Sequence, residues 1–425
     1  MKKIAACFLV LLICLSFSIA PKDASAQPQY VPLISGAEEF LEEFLEDCYD
    51  RTSFSQAEKD AADWIAQKFE AFGLTTEIQV FDAEYNGKKM SSQNVIGTLD
   101  FGRAKQVIIC AHYDNIYGSN DIEGFGAEGA YNNATGVAVM LSLAKHFSAL
   151  KQQDQNFDLD FNIIFLALGA EEVGLHGSYY YVNQMLPKQI SNTLLAIDLD
   201  CVGGGDYLYL YCDELKTVHE RFIKQIADKN NLPLRLPPAN KKTLPVSTPF
   251  TPYIHYGLNS ANLYFLSAGV NSALFFSRNW HTNNKIGMVE SEKHPAIIYT
   301  KDDNLKTLKT LYGDTFLQKM NAAADIIFYS LTDPEFVQTM QKSAAQRPNY
   351  YWLINGNLVA YIKLGLIVLM GIIVFFLIRN FTARYPVPVI TIKPTPPPTV
   401  FGEEYEKNAP DPKDKKPPQN PFEGY

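Results

Sequence analysis

The sequence predicts an α/β fold with a mainly parallel central sheet flanked by helices, followed by one transmembrane helix near the C-terminus. Two observations predict the sheet: short continuous apolar runs alternate with amphipathic segments, and polar residues directly follow several of those runs. A third observation predicts the transmembrane helix, because a long apolar run lies beyond the last amphipathic segment. A chain of 425 residues has room for one large domain or for several ordinary ones.

The individual elements follow from apolar periodicity and turn residues. In residues 55–71 an apolar residue recurs every fourth position, and Gly73 follows as a C-terminal cap, so this segment is predicted to be a helix. Further helices are predicted at residues 136–147, 216–229 and 305–329. Strands are predicted at residues 76–81, 94–99, 106–111, 161–168 and 194–199, and the apolar runs 263–268 and 272–276 continue the strand pattern.

The charge balance excludes one class of partner. The chain has 37 Lys and Arg against 46 Asp and Glu, a formal net charge of -9, and no long basic stretch. A nucleic-acid-binding protein would present a face of Lys and Arg, so we expect no nucleic-acid partner. A hydrophobic share of 47% also excludes a disordered polyelectrolyte.

The N-terminus has the layout of a bacterial secretory signal. Two lysines precede an apolar run over residues 4–20, and a small-residue cleavage sequence, Ala24-Ser25-Ala26, follows it. We therefore expect residues 1–26 to be a signal peptide and residues 27–350 to be an exported, peptidase-like domain in the periplasm or otherwise outside the cytoplasm. An uncleaved N-terminal anchor is the alternative.

The long apolar run covers residues 358–378 and predicts a single membrane span. At ~1.5 Å per residue it reaches across a hydrocarbon core of ~30 Å. Lys363 near its outer end can extend toward the headgroups, and Arg379 after its inner end indicates a cytoplasmic C-terminus. We expect residues 351–384 to form the transmembrane helix and its flanks. A buried core helix is the alternative.

The C-terminal tail, residues 385–425, contains 11 of the 24 prolines and charges of both signs. Such a composition cannot bury a core, so the tail is predicted to be disordered and cytoplasmic. It is either a solvated chain end or a polyproline ligand for a cytoplasmic partner.

Four cysteines follow the signal: Cys48, Cys110, Cys201 and Cys212. An exported domain permits disulfides, and the sequence leaves their pairing open. Cys110 and Cys201 lie in apolar, strand-like runs, where a packed free thiol is the more common state.

Side chains of metal-ligand type follow three predicted strands, whose carboxyl ends meet at one edge of a parallel sheet. His112 with Asp114 fits an imidazole ligand whose second nitrogen is held by a carboxylate. Glu171 and Glu172 could supply a general base and a metal ligand, and Asp200 ends a third strand. Each residue alone is ordinary at the start of a loop, but together they predict a metal site.

The order of these motifs resembles the zinc aminopeptidases of peptidase family M28 over roughly residues 41–329. The chain reads His-Tyr-Asp at 112–114, Gly-Ala-Tyr-Asn-Asn-Ala-Thr-Gly at 129–136, Glu-Glu-Val-Gly-Leu-His-Gly-Ser at 171–178 and Asp-Leu-Asp at 198–200. The resemblance implies a zinc exopeptidase-like fold. It also implies two zinc ions bridged by one carboxylate and a water.

Carried over position by position, the resemblance assigns most of the site. It makes His112 and Asp200 ligands of the first metal and Glu172 a ligand of the second. Asp114 matches the carboxylate that orients the histidine, and Glu171 matches the general base.

Two ligand positions depart from the family pattern. Asn132 stands where the family has the bridging Asp, and Tyr299 stands where it has a late His. A neutral amide cannot bridge as a carboxylate does, and a phenol with a pKa of about 10 is neutral at pH 7. We therefore expect at most one weakly held zinc ion. His281 or His294, in the same late segment, could replace the missing imidazole.

Two functions remain open from the sequence. The first is a membrane-anchored peptidase-fold protein that is catalytically impaired and binds a peptide or protein ligand at its pocket. The alternative is an active metallo-exopeptidase, an aminopeptidase that hydrolyses peptides in the bacterial envelope. The two replaced ligands favour the first function.

Overall fold

A computed structural model of the chain describes residues 31–118, 126–212, 217–238, 260–280, 288–346 and 357–384. The chain divides into two compact units, Met1–Ala360 and Tyr361–Tyr425. The predicted signal peptide, residues 1–26, and the predicted tail, residues 385–425, lie outside the described residues.

The first unit alternates strands with helices. The strands are β1 (Thr75–Tyr85), β2 (Lys88–Leu99), β3 (Gln106–His112), β4 (Asn162–Leu168), β5 (Thr193–Asp200), β6 (Tyr207–Cys212), β7 (Ser272–Trp280) and β8 (Met288–Val289). The helices are α1 (Ala37–Asp47), α2 (Gln56–Ala71), α3 (Thr135–Gln153), α4 (His176–Gln184), α5 (Pro187–Asn192), α6 (Val218–Lys229), α7 (Asn262–Ser267), α8 (Leu305–Tyr312), α9 (Thr315–Thr332) and α10 (Phe336–Ala345). A π-helical turn, Ala130–Ala134, leads into α3.

The strands form one sheet in the order β1-β2-β4-β3-β5-β7-β6, and β8 pairs with β7. The four central strands β4, β3, β5 and β7 are parallel, while β1, β2 and β6 pair antiparallel at the two sides. The predicted α/β fold with a mainly parallel sheet is confirmed. Because β4 and β5 lie on opposite sides of β3, the strand order reverses at β3, and ligands of parallel α/β sheets commonly bind beyond the carboxyl ends of the strands at such a point.

Burial on both faces explains the continuous apolar runs of the central strands. Every residue of β5 is buried, and in β3 and β4 only the first residue is not. Ile109 and Phe165 belong to the larger core cluster, which also includes residues of α1, α2, α3 and α9. Ile108 and Leu166 belong to the cluster on the other side, with residues of α4 and α7. Each strand therefore needs apolar side chains at consecutive positions.

Two predicted elements differ in the structure. The run 263–268 is the helix α7 rather than a strand, because Ala261, Phe265 and Ala268 recur at helical spacing and bury one side. The predicted helix 305–329 is two helices, because Gly313 adopts a positive φ of 49° between α8 and α9. The sequence reading also missed β6 at the edge of the sheet.

The helix α11 (Asn357–Arg384) has 28 residues, and all but its first turn belongs to the second unit. Its segment Leu364–Phe381 has a mean hydropathy of 2.4 and none of its residues is buried. By length and composition the helix can cross a membrane. The apolar segment is therefore a helix of the predicted length, and its insertion in a membrane stays a prediction.

The predicted state of the buried cysteines is confirmed. Cys110 and Cys201 are fully enclosed thiols that form no disulfide, and the same is true of Cys48. Cys212 is buried as well.

Candidate functional site

The predicted site residues meet at the carboxyl edge of the central strands. His112 is the last residue of β3, Asp200 is the last residue of β5, and Glu171 follows β4. His112 Nε2 lies 3.7 Å from Asp200 Oδ1. Parallel pairing of β3 with both neighbours is what brings these side chains together.

Asp114 connects the histidine to the loop after β4. Its Oδ1 lies 3.6 Å from His112 Nδ1. The same carboxylate accepts the backbone N–H of Glu171 at 3.1 Å and that of Glu172 at 3.0 Å. The Ser53 hydroxyl donates to it at 2.6 Å. Asp114 thus holds the backbone of both glutamates and lies within ion-pair distance of the imidazole.

Asn132 lies at the centre of the site, in the π-helical turn before α3. Its Oδ1 accepts from His112 Nε2 at 3.2 Å and from the Cys201 thiol at 3.1 Å. Its amide nitrogen donates to Glu172 Oε1 in a short hydrogen bond. The neutral amide therefore links the imidazole on one side to the carboxylate on the other.

The position of Asn132 is fixed by Asp303, the last residue of the late motif segment Tyr299-Thr300-Lys301-Asp302-Asp303. The buried Asp303 carboxylate accepts the backbone N–H of Tyr131 at 2.7 Å and that of Asn132 at 3.2 Å. Burial raises the pKa of Asp303 to about 7.

Arg51 fixes the start of the same turn. Its fully buried guanidinium donates to the carbonyls of Tyr113 at 2.5 Å, Cys48 at 3.0 Å, Glu128 at 2.9 Å and Gly129 at 3.1 Å. Gly129 has a φ of 64°, and a Cβ there would lie 2.9 Å from the guanidinium. One cation thus ties the segment after α1, the end of β3 and the turn together.

Glu171 lies in a buried position against the start of α4. Its Oε1 accepts the Ser178 backbone N–H at 2.6 Å, and its Oε2 accepts the Ser178 hydroxyl at 2.8 Å. Burial raises the pKa of Glu171 to about 8, against the opposing effect of those two bonds. A carboxyl that titrates near neutral pH is suited to general acid–base chemistry.

Tyr299 lies close enough to Glu172 for the two side chains to interact electrostatically. Burial and the neighbouring charge of Glu172 raise the pKa of the Tyr299 phenol, so it remains a neutral donor. Burial also raises the pKa of Glu172 to about 8. Glu172 therefore lies beside both residues that depart from the family pattern and accepts a hydrogen bond from one of them, Asn132.

His112 and Asp200 form the charged part of the site. Burial acts to lower the pKa of His112, but Asp114 and Asp200 raise it well above its ordinary value. Burial acts to raise the pKa of Asp200, and the ion pair with His112 lowers it below its ordinary value. Asp200 Oδ1 is nevertheless buried without a hydrogen-bond partner.

Comparison with known proteins assigns a family to this arrangement. The model of peptidase family M28 matches residues 94–294. The M28 resemblance predicted from the motifs is thereby confirmed.

Relatives of the M28 domain include two bacterial proteins. The alkaline phosphatase isozyme conversion protein of Escherichia coli (strain K12) is 28% identical over 266 residues, which cover 58% of this chain and 73% of that protein. Aminopeptidase YwaD of Bacillus subtilis (strain 168) is 34% identical over 116 residues, which cover 27% of this chain and 22% of YwaD. The similarity thus spans only about a fifth of the second relative.

A solved structure, that of the zinc aminopeptidase BSAP from Bacillus subtilis, shares the fold. It superposes with a TM-score of 0.53 at 15% sequence identity, covering 72% of this chain and 97% of that chain. This similarity confirms the zinc exopeptidase-like fold of the M28 domain.

The donor set of this M28 domain does not fit a pair of zinc ions. In the described part of the chain, no group of three His, Cys, Asp or Glu side chains is arranged to hold a metal ion. The residue at the bridging-ligand position, Asn132, is an amide, and its nitrogen donates a hydrogen bond to Glu172. At the other end, His112 Nε2 and the unpartnered Asp200 Oδ1 are suited to at most one cation.

The two candidate replacement histidines have different outcomes. His281 lies outside the described residues, so its role stays a prediction. His294 packs its ring against Tyr312 at a centroid distance of 5.1 Å, and it forms no ion pair with Glu172.

Sequence reasoning missed three residues that shape the site: Arg51, Ser53 and Cys201. Arg51 and Ser53 precede every motif, and they reach the site only because the segment after α1 folds against the end of β3. Asp303 was part of the late motif segment, but no role had been assigned to it.

Proposed function

We propose that the chain is a membrane-anchored M28 protein whose domain lies outside the cytoplasm, binds a peptide or protein, and is impaired in hydrolysis. The observation that carries this proposal is the position of Asn132. Its amide joins His112 to Glu172 through hydrogen bonds, at the position where the family uses a bridging carboxylate.

The loss of that carboxylate weakens the binding of two metal ions because it removes a negative charge from the site. Two divalent ions need several anionic ligands in a site of low dielectric, where each uncompensated charge is costly. Here Asn132 is neutral and Tyr299 is a neutral phenol, so Glu172 and Asp200 are the ligand-position carboxylates that remain. Glu172 already accepts a hydrogen bond from Asn132, so this half of the site is occupied by a neutral donor where the family pattern has metal ligands.

The loops around the site are held by hydrogen bonds within the protein, which supports a binding role. Asp114, Asp303 and Arg51 hold these loops through main-chain hydrogen bonds. The point where the strand order reverses is a common ligand site in parallel α/β sheets.

A second candidate function, an active metallo-exopeptidase with one metal ion, has one observation in its favour. The buried Asp200 Oδ1 lacks a hydrogen-bond partner beside His112 Nε2, and Glu171 titrates near neutral pH. If a metal were held there, His112 and Asp200 would be its ligands, and it would polarise a substrate carbonyl or water. Glu171 would then hold or release the proton.

Metal content and turnover, measured together on the full chain in detergent, separate the two functions. We expect less than one zinc ion per chain by mass spectrometry and no metal-dependent release of N-terminal residues from peptides. Asn132→Asp restores a carboxylate and should raise the zinc content. The matched control Asn156→Asp, which adds the same charge at an exposed turn, should leave it unchanged. Two zinc ions in the unaltered chain, with turnover abolished by Glu171→Gln, would refute the binding-module proposal.

A further inference from the structure

Arg278 lies beside the site but takes no part in the network described above. Phe276 of β7 is the register partner of Asp200 in the parallel ladder. Residues that pair in this way share a face, and Arg278, two positions further on, points to the same face. The Ser277 backbone N–H bonds to the Cys201 carbonyl at 3.0 Å, which holds this end of β7 next to the site. Arg278 is close enough to Cys201 and Asp200 to interact with them electrostatically.

The guanidinium of Arg278 has no acceptor among the described residues. Its Nε is buried without a hydrogen-bond partner. The group stacks over the Phe276 ring at 4.9 Å from the centroid. A buried arginine normally donates to carbonyls or carboxylates, as Arg51 does with four carbonyls in the same domain. Arg278 therefore retains its donors for a group that is not part of the described chain.

The carboxylate of Glu290, which interacts electrostatically with Arg278, does not fill this role. Glu290 is buried and accepts the backbone N–H groups of Ile297 at 2.7 Å and Ile298 at 3.1 Å. It forms no ion pair with Arg278 in the described part of the chain. Its charge instead helps to keep the arginine protonated and in place.

We propose that Arg278 is a binding residue for a carboxylate of the peptide ligand. This inference rests on the proposed binding function and deepens it, because it selects an anionic ligand group. The planar guanidinium presents a fork of N–H donors that matches a carboxylate, and partial burial strengthens such a charge-assisted bond. The carboxylate comes from either the C-terminus of a short peptide or an Asp or Glu side chain.

Two peptide libraries distinguish these sources. The full chain in detergent is immobilised and incubated with random pentapeptides, in one library with a free C-terminal carboxylate and in the other with a C-terminal amide. Retained peptides are counted by mass spectrometry. We expect the free-acid library to be retained about tenfold more strongly, as is typical of hydrogen bonds to a charged group. If the side chain is the source, both libraries are retained, and both are enriched in Asp and Glu.

Arg278→Met should abolish the preference, while Arg278→Lys should keep part of it. Arg103→Met is the matched control, because Arg103 precedes β3 and pairs with Asp158 at the opposite end of the strands. Equal retention of both libraries by the unaltered chain, with no enrichment of acidic residues, would overturn the role of Arg278. That comparison needs no variant, so a folding defect cannot obscure it. Retention of neither library would instead overturn the binding function and, with it, this inference.

Discussion

The side-chain amide of Asn132 donates a hydrogen bond to the Glu172 carboxylate at the centre of an M28 domain. This bond joins two positions that the family resemblance assigns to metal ligands. A donor amide and a bound cation are alternatives at such a carboxylate, because both occupy its lone pairs. The side chains of this site are thus arranged as a hydrogen-bonded network, and the following predictions depend on that arrangement.

Asn132→Asp should destabilise the metal-free protein. The substitution removes the amide donor to Glu172 and adds a buried carboxylate near Asp200, which we expect to cost about 2 kcal/mol of unfolding free energy. Urea denaturation in the presence of a chelator measures this loss. Excess zinc should restore much of it in the variant and little in the unaltered chain, and Asn156→Asp should behave as the unaltered chain. Equal stability of Asn132→Asp and the unaltered chain in chelator would contradict the network.

Arg51→Met should destabilise the domain more than any substitution of an exposed arginine. It removes a donor from four main-chain carbonyls. The carbonyls of Glu128 and Gly129 each keep a second donor, whereas those of Cys48 and Tyr113 lose the donor that Arg51 provides. We expect a loss of about 3 kcal/mol or more in the free energy of unfolding, measured by urea denaturation. Arg103→Met, the exposed control, should cost less than about 1 kcal/mol. Similar losses in the two variants would show that the Arg51 bonds are not important for stability.

The domain should become less stable between pH 5 and pH 8, in part through Glu58. Burial raises the pKa of Glu58 to about 8, with a further contribution from the charge of Asp114. Its pKa in the unfolded chain is about 4.5. The folded state therefore holds a proton that the unfolded state has lost, and stability decreases as the pH rises through this window.

Urea denaturation at pH 5, 6.5 and 8 measures that slope, which for one group is at most about 1.4 kcal/mol per pH unit. Glu58→Gln should lower stability at pH 5, because one donor, such as the Phe54 N–H, loses its acceptor. The variant should also show a shallower slope than the unaltered chain. An unchanged slope would mean that Glu58 does not titrate in this window.

Membrane attachment should depend on the apolarity of the middle of α11. Val368→Arg combined with Ile372→Arg places two charges in the apolar segment, at a cost of roughly 3 kcal/mol each for insertion. We expect this variant to move from the membrane fraction to the soluble fraction after cell lysis. Phe381→Arg, at the end of the segment, is the control and should remain with the membrane, because its charge can reach the headgroups. Retention of the double variant in the membrane would exclude α11 as the anchor.

The sequence predicted the central strands because strands buried on both faces give continuous apolar runs. It also predicted where the site lies, because the polar residues that follow parallel strands lie at the same edge of the sheet. His112, Glu171 and Asp200 were identified in this way. Arg51 could not be identified, because its partners are main-chain carbonyls that only the tertiary fold brings to one place. The run that became α7 was misassigned because a six-residue apolar segment fits either period.

The bonds from Asp303 and Arg51 to the turn that carries Asn132 have a thermodynamic consequence for binding. The ordering of this turn occurs during folding, because its backbone groups have partners within the protein. An incoming ligand then meets a turn that has already lost its conformational entropy. The free energy of each contact with this turn is therefore available for affinity.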